Sequence, residues 1–404
     1  MLHRTAALTA CLLLASPVAA DDAMQALLER HCLGCHSAQG QAPVRFGSLE
    51  GVLRHRGLMR ALLEDGTMPP ALAAETPVAL SHARRLAARD RDALLAALAT
   101  RESAERAFAG LREAKASAAP ATGAFGPAAA WTMPAEGGMR VRTYLVDVAA
   151  DAPLRVRGVR IADPAALQWS PLRMISLAPD PKRAFAPLIA AEEHGAESMG
   201  NVGRNPSGAL GAVSRVRTAF ELPAGYAFDL PRGAVAVETL GEPVGREAPV
   251  DPRLAWIPAT GADVRTVRSA AFFPRNLVLE PEARLERTVE FAAPQDIDIV
   301  AFVVKGGAFL RGVTAEVVDP SQCVTRVLDV PDFRMSLAEP WTLEKPLRVT
   351  RGSSVVMRFR FDNTAQNPQQ PTRPPARVTG GLPPMGEDAL GVMLYAEAPS
   401  GAGE

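Results

Sequence analysis

The chain has 404 residues, of which 44 are basic and 44 acidic, with 35 Pro and an aromatic share of only 5%. That length admits two or three units, each with a core of its own. The even charge balance excludes the strong field of a nucleic-acid binder or of a protein drawn to an anionic surface, so no nucleic-acid partner is expected.

Residues 1–20 open with His3 and Arg4, continue through a mostly apolar run from Ala6 to Ala15, and end on the small residues Val18, Ala19 and Ala20 before Asp21. This is the layout of a secretory signal peptide, with an apolar part too short to span a bilayer as a helix. An uncleaved N-terminal anchor is the alternative. No later segment approaches ~18 uninterrupted apolar residues, so no membrane span is expected once the signal is cleaved. A periplasmic or otherwise exported location follows. Cleavage removes Cys11 and leaves Cys32, Cys35 and Cys323, three thiols that cannot pair fully.

The stretch DDAMQALLERHC begins with Asp and carries apolar residues at helical spacing, and it delivers the motif CLGCH at 32–36. Two Cys three apart with His directly after the second is the attachment signature of a c-type haem. Cys32 and Cys35 would bond the porphyrin vinyl groups and His36 would ligate the iron. A structural zinc site would need a second pair of ligands at metal spacing, and a redox dithiol would sit in a βαβ context; neither is found. Met68 is the candidate second iron ligand, because Pro69 and Pro70 in GTMPP hold its loop out of helix. His55 and Met59 lie in LEGVLRHRGLMRALLED and read as surface and core positions of an amphipathic helix. The stretch RDRDALLAALAT reads as the closing helix of a unit over 21–105. Residues 106–130 contain REAKASAAPATGAFGPAAA, rich in Ala, Gly and Pro, and read as a linker.

From Trp131 the pattern changes to short alternating runs, MRVRTYLVDVA, LRVRGVRIA, SRVRTAFELP, DIDIVAFVV, LRVTRG and SVVMRFRFDN, separated by Pro, Gly and Asp. They predict an all-β region in two sandwich halves, 131–260 and 261–404. The fold class expected is therefore multidomain, α plus all-β: a small helical cytochrome c unit followed by two β-sandwich, jelly-roll-like halves. Within EEHGAES, Glu192, Glu193, His194 and Glu197 read as a solvated polar loop, with a surface metal site as the alternative. The Gly-rich GNVGRNPSGALG precedes no helix, which argues against a phosphate cradle. Cys323 reads as a buried small hydrophobe, with an intermolecular disulfide as the alternative.

The segment from CLGCH to TMPP, followed by SHARRLAARDRDALLAALAT, resembles a group of bacterial c-type cytochromes that are commonly fused to a region like the copper type II, ascorbate-dependent monooxygenases, the peptidylglycine hydroxylase fold. Over Trp131 to Glu397 the resemblance rests on VPDF at 330–333, Trp341, Arg351 with Gly352, FDNTAQNPQQP at 361–371 and the closing GVMLYAE. The resemblance implies two copper centres held mainly by imidazoles, but the only His after the linker is His194. Where the family places a His-His pair this chain has about Gln168 and Trp169; where it places His-Tyr, Gly241 and Glu242. Its His-x-His is replaced by Gly307, Ala308 and Phe309 before Leu310, Arg311 and Gly312. Met393 falls near the family's Met ligand and reads here as strand core. The expectation is one covalent haem c, no copper, and an electron carrier whose β region docks or binds a redox partner. It is more an electron-transfer protein than a self-contained enzyme. The alternative is a haem-fed copper monooxygenase or another oxidoreductase.

Overall fold

A computed structural model describes residues 17–36, 46–64, 86, 88–111, 122–127, 130–137, 140–148, 154–163, 170–180, 182–183, 186, 196–197, 209–214, 217–230, 233–261, 264–334, 340–381 and 386–399. Met68, Gln168, Trp169, Glu192, Glu193, His194 and most of the expected signal peptide lie outside these residues, as do the side chains of Cys35 and Glu197.

The first part is helical. Helix α1 (Pro17–His31) and the single turn α2 (Leu33–His36) flank Cys32, and α3 (Leu49–Glu64) follows. Helices α4 (Ala88–Ala97) and α5 (Arg101–Ala107) come next. Helix α1 starts before Asp21, with Pro at the position where a missing N–H costs a helix nothing. The α4–α5 break is set by Thr100, whose hydroxyl accepts from Ser103 N while the Ser103 hydroxyl accepts from Thr100 N. Arg56 on α3 donates to the carbonyls of Leu98 and Ala99, 2.8 and 3.0 Å away, tying α3 to the end of α4. Leu28, Leu33, Phe46, Val52, Met59, Leu63, Leu94, Leu98, Ala104 and Phe108 form one buried core, separate from that of the β region.

The strands run in chain order as β1 (Thr122–Phe125), β2 (Trp131–Met133), β3 (Arg140–Val148), β4 (Leu154–Ile161), β5 (Leu172–Asp180) and β6 (Ala196–Glu197). Next come β7 (Gly211–Ser214), β8 (Ala219–Glu221), β9 (Tyr226–Leu230), β10 (Gly233–Gly241), β11 (Ala248–Val250) and β12 (Leu254–Pro258). The second half holds β13 (Arg265–Phe272), β14 (Val278–Leu279), β15 (Arg284–Ala292), β16 (Ile297–Lys305), β17 (Leu310–Val318) and β18 (Val324–Val330). It closes with β19 (Pro340–Val349), β20 (Ser354–Asp362), β21 (Val378–Gly380), β22 (Gly386–Glu387) and β23 (Leu390–Glu397).

These strands build β-sandwiches. In the first half, β1-β12-β4-β9, with β8 on β4, accompanies the sheet β6-β3-β10-β5-β7. In the second, β13-β23-β16-β19 accompanies β15-β20-β17-β18. A short parallel pairing of β9 with β13, Tyr226 opposite Arg265 and Ala227 opposite Thr266, joins the halves into one sheet. The sheet containing β16 and β23 is covered on both faces: every residue of β16 from Ile297 to Val304 is buried. One face meets the outer sheet, where a Cβ on Gly391 would lie 2.5 Å from Met357 Cε. The opposite face meets the first half, where Ala209 N donates to Ser269 Oγ at 2.8 Å.

Three expectations need correction. The segment 106–130 is not wholly linker: Phe108 is buried in the helical core, Leu111 packs against it, and β1 pairs with β12. Both ends of that segment carry aromatic or β-compatible residues that find a core, which its Ala, Gly and Pro content hides. Cys323 is exposed, not buried, because it ends the turn between β17 and β18, where Asp319 accepts from Cys323 N at 2.9 Å. SRVRTAFELP is not one strand: Ser214 N donates to Arg217 O at 2.7 Å, and the chain turns back between β7 and β8.

Candidate functional site

The backbone carries positions 32, 35 and 36 through a single helical turn. Cys32 N donates to Leu28 O at 2.8 Å, so the turn continues directly from α1, and His36 N donates to Cys32 O at 3.0 Å. Residues four apart in such a turn share a face, which places Cys32 and His36 together. Cys32 is half-buried against the helical core. The His36 ring stacks on buried Phe46, with centroids 4.3 Å apart and planes at 21°, and Phe46 N donates to His36 O at 3.0 Å. Met59, on α3, is buried in that core, while His55 is half-buried. A thiol and an imidazole on one turn beside an apolar core are among the donors and surroundings that a covalently held haem requires. The residues therefore fit that group.

The β region places different chemistry where the resembled family has metal ligands. Gly241 lies beneath Met133 and Trp131: a Cβ there would sit 2.4 Å from Met133 Cε and 3.2 Å from the indole. Glu242 pairs with Arg173 at 2.7 Å. Gly307 and Phe309 donate their N–H groups to the fully buried carboxylate of Glu387 at 2.7 and 2.9 Å. Met393 is fully buried in β23, paired with Ala270 and Phe302. Among the described residues, no three His, Cys, Asp or Glu side chains gather where a metal ion would be held. These donors do not fit a copper ion, which needs several imidazoles or soft sulfur ligands at one place.

The motif FDNTAQNPQQP is structural in this chain. Asn363, buried, donates to the carbonyls of Leu279, Glu280 and Ala376 at 2.8 to 3.2 Å. Asn367 donates to Ala308 O at 3.0 Å and to Asp362 O at 2.8 Å. Gln369 reaches Phe333 O at 3.1 Å, and Phe333 N donates to Arg311 O at 2.9 Å. The motif thus clips the 307–311 segment from one side while Glu387 holds it from the other.

Sequence reasoning missed the buried charges. Lys305 pairs with Glu238 between β16 and β10, and so between the two halves. Asp298 accepts from Arg265, from Arg348 at 2.7 Å and from Tyr226 at 3.2 Å. Burial opposes ionisation of Asp298, but hydrogen bonds from Arg348 and Arg265 and their charges outweigh it and hold the carboxyl below its usual range. Burial pushes the Tyr226 hydroxyl up to about 12, with the Asp298 charge adding to the shift. These pairings join residues far apart in the chain, and no local spacing announces them.

No family model matches the chain, and no curated protein matches it. Among solved structures, the major capsid protein P2 of bacteriophage PM2 aligns over 69% of this chain and 98% of its own, at 8% identity and a TM-score of 0.26. The VP2 subviral particle of infectious bursal disease virus aligns over 70% and 73%, at 8% identity and 0.19. A Paenibacillus xanthan lyase aligns over 70% and 26%, at 10% identity and 0.18. Likenesses this weak assign neither a family nor a function.

Proposed function

We propose that this protein is an exported electron carrier with one covalent haem c in its helical unit, and that its β region docks a redox partner. The observation that carries the reading is the turn 32–36, where Cys32 and His36 share a face against an apolar core that belongs to the helices alone. Cys32 and Cys35 would attach the group by thioether bonds, with His36 as one iron ligand and Met68 as the other. Bound there, haem supplies reversible one-electron chemistry. His36 and Met68 together would leave no iron position open to a substrate, which favours electron transfer over chemistry at the metal. A thioether ligand and the apolar side chains packed beside Cys32 would both raise the reduction potential. In the β region Gly241, Glu242 and the 307–309 segment are engaged by protein groups, which supports a docking role over a copper oxygenase.

Absorption spectroscopy and redox titration of the wild type and of Met68→Ala test the proposal. The wild type should show a low-spin haem with the weak band of Met-to-iron ligation, and the variant should lose that band and fall in midpoint potential. A high-spin, ligand-accessible wild type, or a variant unchanged in both respects, would contradict the proposal.

A further inference from the structure

We propose that Phe46 is the positioning residue for the iron ligand His36, fixing the plane of its imidazole; the inference rests on the haem reading above. Three contacts bear on His36. Its N–H donates to Cys32 O at 3.0 Å, and its carbonyl accepts from Phe46 N at 3.0 Å. Its ring stacks on the Phe46 ring, with centroids 4.3 Å apart and planes at 21°. The first two contacts hold the backbone on either side of the residue. The third acts on the freedom that they leave, rotation of the side chain. Stacking occupies a face of the imidazole, whereas ligation uses a nitrogen at its edge, so one ring serves both contacts.

Phe46 is itself held by rigid structure. It is only 5% exposed and belongs to the same core as Leu28, Leu33 and Val52. Two residues on, Ser48 caps α3: its hydroxyl accepts from Gly51 N at 3.2 Å, and its carbonyl accepts from Val52 N at 3.0 Å. Helix α3 is tied in turn to the end of α4 by Arg56. A helix start and a packed core therefore set the Phe46 ring, whereas His36 is half-buried and packed less completely. Groups around a ligating His fix its ring orientation and so tune the metal. In this chain an aromatic face takes part in that orientation. A ligand kept in one plane in both oxidation states reorganises little as the electron moves, which suits a carrier.

Proton magnetic resonance of the full-length, haem-loaded protein tests the role. In the oxidised state the unpaired electron displaces the haem methyl resonances in a pattern that follows the plane of the axial imidazole. Phe46→Leu, which keeps an apolar side chain but no ring, should still carry covalent haem and the Met-to-iron band, while the order or spread of those resonances changes. Phe46→Tyr, which keeps the ring, should retain the wild-type pattern. In the reduced, diamagnetic wild type the Phe46 and His36 rings should show nuclear Overhauser contacts, a result that needs no variant to fold. A wild-type pattern in Phe46→Leu, the Phe46→Leu pattern in Phe46→Tyr, or no contact between the two rings in the wild type would each overturn the positioning role with haem still bound. A wild-type chain without covalent haem would instead overturn the reading beneath it, and the inference with it.

Discussion

At the scale of the residue, the buried carboxylates divide by the sign of their pKa shift. Glu387 has a folded-state pKa of about 7 against an ordinary 4.5, so the folded chain holds the proton more tightly. Its contribution to stability is full below about 4.5 and is lost as the pH rises through about 7. Between pH 5 and pH 8 in urea titrations, the wild type should lose on the order of 3 kcal/mol more than Glu387→Gln. Asp298 and Glu316 run the other way: burial opposes their ionisation, but paired Arg side chains outweigh it and lower both. Their contribution is present above the ordinary carboxylate range and is lost as the pH falls below it. Asp298→Asn removes the charge that two guanidiniums share and should cost about 3 kcal/mol in the same titration at pH 7. Cys32, His36 and Met59 could be placed from spacing because a helical turn is local. Cys323 could not, since its exposure depends on where a hairpin ends.

At the scale of the element, the strands most legible in the sequence are those that alternate. MRVRTYLVDV and SVVMRFRFD each show a period of two because one face of the strand is solvated or carries Arg side chains. Strand β16 was named among the alternating runs, yet from Val300 to Val304 it is continuously apolar because both its faces are covered. The break between β7 and β8 was hidden because Arg, Val and Arg can continue a strand as readily as turn one. The boundary expected between 105 and 106 falls inside helix α5, which Thr100 and Ser103 cap. The clip formed by FDNTAQNPQQP was recognised as a motif, but its purpose was not, because the three carbonyls that Asn363 serves come from other segments. Asn363→Ala leaves those carbonyls unserved in a buried place, and chemical denaturation should show a loss of about 3 kcal/mol.

At the scale of the whole molecule, the helices and strands keep separate cores, whereas the two sandwiches share one. Calorimetry should therefore resolve one transition for the helical unit and a single cooperative one for the whole β region. Two β transitions would show that the β9–β13 pairing and the doubly covered sheet do not couple the halves. The order helical unit, then sandwiches, was legible because hydrophobic period changes sharply after the Ala- and Pro-rich stretch. The fusion of the sandwiches was not legible, since it rests on two residue pairs between β9 and β13 and on buried charges such as Lys305 with Glu238. The central claim is that Cys32, Cys35 and His36 carry a covalent haem, and intact mass measurement of the denatured protein alongside its absorption spectrum tests it most directly. The account predicts a chain carrying the mass of one haem that denaturation does not remove, with Cys32→Ala and Cys35→Ala together abolishing covalent attachment. A wild-type chain at its bare polypeptide mass, without haem absorption, would contradict it.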